Sequence, residues 1–324
     1  MSNKFDYRSV LEAYNRIRDV VHRTSVITSK SVDDMVGTKI YFKTECFQKT
    51  GSFKARGALN AILKLKTEKN VDRVITHSSG NHGQALAFAA QQAGVTCTVV
   101  VPDNAPKVKV NAIRAYGANI VMCESTMAAR NDTCSRIINE TGAVLVHPHD
   151  DLDVMAGQGT IALELFEQVP DLDAVLVPVG GGGMLSGIAA WTKHVKPDCK
   201  VFAVEPYGKQ LSRSLRADQL ICEDRSKLLN TLADGMRIPG IGDHCFPVIS
   251  ALCEKEVFSV NDQEIIEAMK LTYQRLKLAI EPSSATGVAA LFGKQFRTFV
   301  PNLRHVAVIL CGGNVDLDML PWNN

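Results

Sequence analysis

The chain has 324 residues, which at roughly 150 per domain is enough for about two domains and a large buried core. Thirty-six basic residues against 34 acidic ones leave a net charge of +2, so no strong field would hold nucleic acid or an anionic membrane. A hydrophobic share of 46% with 22% charged residues excludes a disordered, acidic-tailed or histone-like chain and favours a small-molecule enzyme.

Short β-branched runs alternate with longer amphipathic stretches along the whole chain. An amphipathic pattern over 9–21 predicts a first helix, and KIYFK (39–43) a first strand. Helix 53–65 then leads into strand 73–76, helix 83–93, strand 96–101, helix 105–116, strand 119–122, helix 128–140 and strand 144–147. The polar run HPHDDLD (147–153) reads as a hinge. After it come helix 157–168, strand 174–179, helix 184–194, strand 201–205, helices 262–276 and 284–292, and a last strand 305–310. Several strands are apolar throughout, as strands covered by helices on both faces must be. The expected fold is therefore α/β, with two open, twisted, mainly parallel sheets flanked by helices. The block 73–148 is a self-contained series, so it is expected to be a small domain inserted in a larger body of 1–72 plus 149–324. The nine cysteines form no CxxC pair, no apolar run reaches the roughly 18 residues of a membrane span, and MSNKFDYRS carries no apolar signal region. A reduced cytoplasmic compartment is expected.

Four stretches carry chemistry. Gly180 to Gly183 follow the strand AVLVPV and precede a helix, where converging N–H groups and the helix terminus suit a phosphate. A tight turn would need only one or two of those glycines. Gly181, Gly183 and Gly187 also give a loose dinucleotide pattern with Glu205 about twenty residues on, the layout of an oxidoreductase. In TGSFKARG (50–57), Thr50 or Ser52 is expected to cap a helix whose first turn holds Lys54. The macrodipole and Arg56 should then depress the lysine pKa, leaving the neutral amine that builds a Schiff base, whereas a surface lysine is the ordinary alternative. Ser78-Ser79-Gly80-Asn81-His82-Gly83 places hydroxyl, amide and N–H groups on a strand-to-helix turn, a ligand position in α/β proteins. Cys311-Gly312-Gly313-Asn314 ends the last strand, and Glu281-Pro282 starts a helix that can bring a carboxylate to the same place.

Together GSFKARG, SSGNHGQA, GQGT (157–160), VPVGGGGM, EPSSATG and CGGNVDL closely resemble the fold-type II pyridoxal-phosphate enzymes, in the branch of serine racemases and serine/threonine ammonia-lyases. The motifs run in order over nearly the whole chain, and the dinucleotide pattern accounts for neither the lysine nor the asparagine motif. The resemblance implies that Lys54 carries the cofactor and acts as α-proton base, with Phe53 packed on the ring. It implies that Asn81 meets the ring oxygen, Gly180 to Gly183 and Met184 cup the phosphate, and Glu281 and Cys311 flank the ring. Ser52, Ser78, Ser79, Asn81 and His82 would take the substrate carboxylate, with Ser79 as the acid/base on the opposite face. The implied activity is interconversion of L- and D-serine with loss of ammonia from L-serine as a side reaction. A dedicated ammonia-lyase for serine, threonine or 3-hydroxyaspartate is the alternative. A homodimer acting on a small amino acid, with neither nucleic acid nor membrane as partner, is implied as well.

Two departures stand out. Cys311 replaces the usual Ser or Thr opposite the pyridine nitrogen; a thiol is a weak partner there and favours elimination. Relatives with a structural Mg2+ or Ca2+ present Glu, a carbonyl four residues on and Asp six residues on, and here Glu205 matches while Leu211 cannot ligate. Lys49, Thr50, Tyr116, Lys277 and Asn314 match the pattern of a nucleotide (ATP) activator site at a dimer interface.

Overall fold

The computed structural model describes residues 5–78, 80–105, 107–222, 224 and 227–322. Ten strands form two sheets: β1 (Val26–Ile27), β2 (Lys39–Lys43), β3 (Arg73–His77), β4 (Thr96–Pro102), β5 (Asn119–Cys123), β6 (Val144–Leu145), β7 (Ala174–Pro178), β8 (Lys200–Pro206), β9 (Val257–Val260) and β10 (His305–Ile309). The larger sheet has the order β1-β2-β10-β7-β8-β9, and only β1 runs antiparallel to its neighbour. The smaller, β5-β4-β3-β6, is wholly parallel and lies in sequence between β2 and β7. Thirteen α-helices connect and cover these strands among the described residues: α1 (Tyr7–Ile17), α2 (Lys30–Val36), α3 (Lys54–Lys69), α4 (Asn81–Ala93), α5 (Lys107–Ala115), α6 (Met127–Thr141), α7 (Leu152–Gln168), α8 (Gly183–Val195), α9 (Leu211–Ala217), α10 (Cys245–Leu252), α11 (Asp262–Leu271), α12 (Pro282–Phe292) and α13 (Lys294–Phe299). This is the expected α/β architecture.

The apolar strands are explained by their two faces. Val175, Val177, Val201, Ala203, Ala307 and Ile309 enter one core with α7, α8 and α10. Their alternates Ala174, Leu176, Phe202, Val204, Val306 and Val308 enter a second core with α11, α12 and α13. Successive side chains point to opposite faces, so burial on both sides demands an unbroken apolar run. None of the described helices is long and apolar enough to cross a membrane.

Several boundaries differ from expectation. Helix α7 begins at Leu152 rather than 157, because Asp151 caps it through the N–H groups of Asp153 and Val154. Gly157 and Gly159, both inside the expected helix, are points of close approach: a methyl at Gly157 would lie 2.6 Å from the Arg56 carbonyl oxygen, and one at Gly159 2.7 Å from that of Gly187. Helix 262–276 divides into α11 and a π-helical turn at Thr272–Leu276.

A buried ionic network fixes the region ahead of the site. The fully buried Arg56 donates to both oxygens of Glu45 (2.8 Å each) and of Glu164 (2.7 and 2.9 Å). Lys43 completes the cluster at 2.7 Å from Glu164. Two cations balance two carboxylates, which is what makes their burial tolerable. The network ties β2, the 45–47 turn, α3 and α7 together around the start of α3.

Candidate active site

The end of β10 and the approach to α3 are joined by backbone. Phe53 N donates to Cys311 O at 3.1 Å, Gly313 N donates to Gly51 O at 2.9 Å, and Ser52 bridges Gly312. Thr50 and Gly51 both adopt left-handed backbone (φ 61° and 71°), which turns the chain sharply into α3. Lys54 is the first residue of that helix, as expected. The cap is not: Phe53 occupies the cap position with helical geometry, Ser52 is extended, and neither Thr50 nor Ser52 makes a capping bond. The Ser52 hydroxyl is instead buried without a protein partner, available to a ligand.

Lys54 Nζ donates to the Pro148 carbonyl oxygen at 2.6 Å and stands 5.0 Å from the Phe53 ring centre. Burial pulls its pKa down to about 8, against the opposing pull of Cys245, Cys311 and Glu281. Desolvation therefore does the work that the sequence assigned to Arg56, whose guanidinium is committed to Glu45 and Glu164.

The motifs meet in one hydrogen-bonded chain. Asn314 Nδ2 donates to Thr50 O (2.8 Å) and to Asn81 Oδ1 (2.9 Å), and Asn81 Nδ2 donates to both oxygens of Glu281 (2.8 and 3.0 Å). Burial, reinforced by Asp234, lifts the Glu281 carboxyl to about 7, while the Asn81 bond opposes the rise. A methyl at Gly312 would come within 2.6 Å of Glu281 Oε1, so the glycine is where the carboxylate passes. Cys311 is buried beside this group, and burial followed by the Glu281 charge pushes its thiol well above the usual range. It stays protonated.

His82 bonds Val146 O through Nε2 at 3.1 Å and leaves Nδ1 buried without a partner. Burial first, then the Lys54 charge, holds it well below the usual imidazole range, so it is neutral. Ser78 Oγ accepts from Gly80 N at 3.3 Å. Ser79 lies outside the described residues.

Gly180 to Gly183 form the turn between β7 and α8, with Gly182 left-handed at φ 103°. Among the described residues, the N–H groups of Gly181, Gly182 and Gly183 meet no protein acceptor. A methyl at Gly181 would overlap the His149 ring, and one at Gly183 would lie 2.6 Å from His149 O. Met184 is buried in the first turn of α8. Free donors, a helix N-terminus and a nearby desolvated amine fit the phosphate and the carbonyl carbon of pyridoxal phosphate.

Sequence reasoning missed the strap 147–150, which had read only as a hinge. Pro148 holds Lys54, His149 lines the glycine cup, and His147 Nδ1 accepts from Asp150 N at 2.8 Å. Asp150 then accepts from the N–H groups of Asp243, His244 and Cys245, between 2.8 and 3.2 Å. Cys245 donates its thiol to His149 O at 3.3 Å. Burial lowers His147 to about 4 and His149 well below the usual range. The clue in the sequence was the pairing of His-Pro-His with two aspartates directly after a strand.

The cation site of those relatives, already put in doubt by Leu211, is not assembled among the described residues. Glu205 is buried at the end of β8, but Leu211 packs into the apolar core and the Lys209 ammonium donates to Ile238 O at 2.5 Å. No group of three His, Cys, Asp or Glu side chains suited to a metal exists among the described residues. Of the nucleotide residues, Lys49 and Thr50 share the turn that Asn314 holds. Tyr116 packs edge-on against Phe88, and Lys277 donates to Gln274 O after the π-helical turn.

A family model described as pyridoxal-phosphate dependent enzyme matches residues 17–312. The chain is 43% identical to a serine racemase of Arabidopsis thaliana over 98% of its own length and 96% of the relative's. Among solved structures it is similar to a pyridoxal 5′-phosphate-dependent aspartate racemase (TM-score 0.96, 48% identity, 98% of both chains). It is also similar to maize serine racemase (TM-score 0.93, 42% identity, 97% and 95% of the two chains).

Proposed function

The chain belongs to the pyridoxal-phosphate dependent enzyme family, and on that premise we propose that it interconverts L- and D-serine and, as a side reaction, converts L-serine to pyruvate and ammonia. The observation that carries this reading is the desolvated Lys54 amine in one pocket with Glu281 and Cys311, next to a strap that lines the glycine cup. Bound there, pyridoxal phosphate supplies the electron sink that makes the substrate α-hydrogen acidic. The N–H groups of Gly181 to Gly183 hold the phosphate, Phe53 and Met184 flank the cofactor, and Asn81, fixed by Asn314 and Glu281, orients it. Ser52 and Ser78 offer hydroxyl groups to the substrate carboxylate, and neutral His82, whose Nε2–H is spent on Val146 O, borders them with an acceptor nitrogen. Lys54 Nζ takes the α-proton on one face, and the Ser79 hydroxyl returns one on the other. Cys311, held as a thiol, cannot keep the ring nitrogen protonated, which sustains the side reaction.

Aspartate is the rival substrate, given the likeness to an aspartate racemase. The electrostatic surroundings of Lys54 support serine. Cys245, Cys311 and Glu281 are neutral or acidic, His82, His147 and His149 are held neutral by burial, and the Lys109 ammonium that acts on Glu281 is already paired with Asp234. The test is a product assay of the holoenzyme with L-serine, D-serine, L-threonine, 3-hydroxyaspartate and L-aspartate. D-Serine together with pyruvate from L-serine supports the reading; D-aspartate or keto acid alone rejects it. The same assay on Cys311→Ser should show a higher ratio of D-serine to pyruvate.

The proposal extends to a small domain of residues 73–148 that closes over substrate, to a cytoplasmic homodimer, and to a nucleotide bound near Lys49, Thr50 and Asn314 with Tyr116 and Lys277 supplied at the dimer interface. The pairing of Lys109 on α5 with Asp234, beside Glu281, supports such closure.

A further inference from the structure

Glu205 ends β8 with its carboxylate in the interior. One oxygen accepts from Ser259 Oγ at 3.4 Å, and the other is buried with no protein partner. The chain then turns through Gly208 at φ 96° and sends Lys209 back inside, where only 6% of it remains exposed. The Lys209 ammonium donates to Ile238 O at 2.5 Å; burial pulls its pKa down to about 8, and the Glu205 carboxylate opposes that fall. At position 211, where an oxygen ligand would be needed, Leu211 is 2% exposed and belongs to the core of Val201, Ala203 and Leu215.

We infer that the Lys209 ammonium is the resident cation of this pocket, holding Glu205 and the 238 carbonyl in place of a divalent metal, so that the protein keeps its fold and its turnover without one. The charge count supports this. One ammonium and one carboxylate sum to zero, whereas a divalent ion added beside Lys209 would leave a buried excess of positive charge. Mg2+ and Ca2+ also require six or more oxygen ligands, and Leu211 removes one of those the chain could offer. The ammonium has three donors; one serves Ile238, and the others can reach Glu205 through water.

The test uses the holoenzyme dialysed against EDTA, then supplemented with Mg2+ or Ca2+, with melting temperature and turnover measured in each state. A divalent ion held at about a hundred times its dissociation constant would raise the melting temperature by about 4 °C. The expected result is no shift in melting temperature and no change in turnover. Loss of either in EDTA, with recovery on adding Mg2+ or Ca2+, would overturn the inference. In EDTA, Lys209→Met should lower the melting temperature, and Glu205→Gln in the same chain should recover most of the loss. An unchanged melting temperature in Lys209→Met would also overturn it. Should Lys209→Met not fold, the EDTA comparison on the unaltered chain decides alone.

Discussion

Lys54 shows how much one burial decision accomplishes. An ammonium in water is charged until pH 10.5, and burial brings this one to about 8. At pH 7 that raises the share of free amine by about 300-fold, which is what a lysine needs to attack a carbonyl. The sign follows from the direction of the shift. Below about 8 the native amine is protonated and unreactive, and above it the amine is free. Because the unfolded lysine binds its proton until 10.5, stability rises with pH between about 8 and 10.5 from this group. In the cofactor-free protein, acylation of Lys54 followed by mass spectrometry should therefore accelerate with a midpoint near pH 8. A midpoint near 10.5 would mean that the amine is solvated. The position of Lys54 was legible in GSFKARG, but its tuning was not. Arg56 is adjacent in sequence yet spent on Glu45 and Glu164, two carboxylates brought to it only by the tertiary fold.

Elements differ in how openly the sequence declares them. Strands β7, β8 and β10 could be read directly, since helices on both faces require apolar residues at every position. β9 was missed because VFSV follows the charged run EKE and is only four residues long. α7 starts five residues before the expected 157 because the polar run 147–153 reads as a hinge, when its Asp151 is the helix cap; Gly157 and Gly159 are the points where α7 crosses α3 and α8. The glycine cup was legible as a phosphate site, but not its second wall, the strap 147–150. That wall yields a prediction in two parts. Gly181→Ala meets the His149 ring, a side chain that can be removed, whereas Gly183→Ala meets the His149 backbone. Each substitution should cost about 1–3 kcal/mol by overpacking and weaken pyridoxal-phosphate binding. Adding His149→Ala should restore much of the cofactor affinity to Gly181→Ala and little to Gly183→Ala, as followed by cofactor titration. Equal rescue of both would show that the strap does not wall the cup.

The whole molecule brings together motifs far apart in sequence. Thr50, Asn81, Glu281 and Asn314 span more than 260 positions and form one hydrogen-bonded chain across the two sheets. That convergence explains why each motif alone left its ordinary reading open, while their shared order along the chain pointed to one cofactor. It also explains why substrate choice and the proton-returning group are harder to read, because both depend on loops that no periodicity specifies. The two-faced proton transfer is the centre of the account, and one measurement tests it most directly: L-serine turned over in deuterium oxide by the native enzyme and by Ser79→Ala, with α-deuterium followed in both enantiomers. The native enzyme should form D-serine carrying α-deuterium, and Ser79→Ala should form no D-serine while still yielding pyruvate and deuterating recovered L-serine through Lys54. D-Serine from Ser79→Ala at the native rate, or none from the native enzyme, would contradict it.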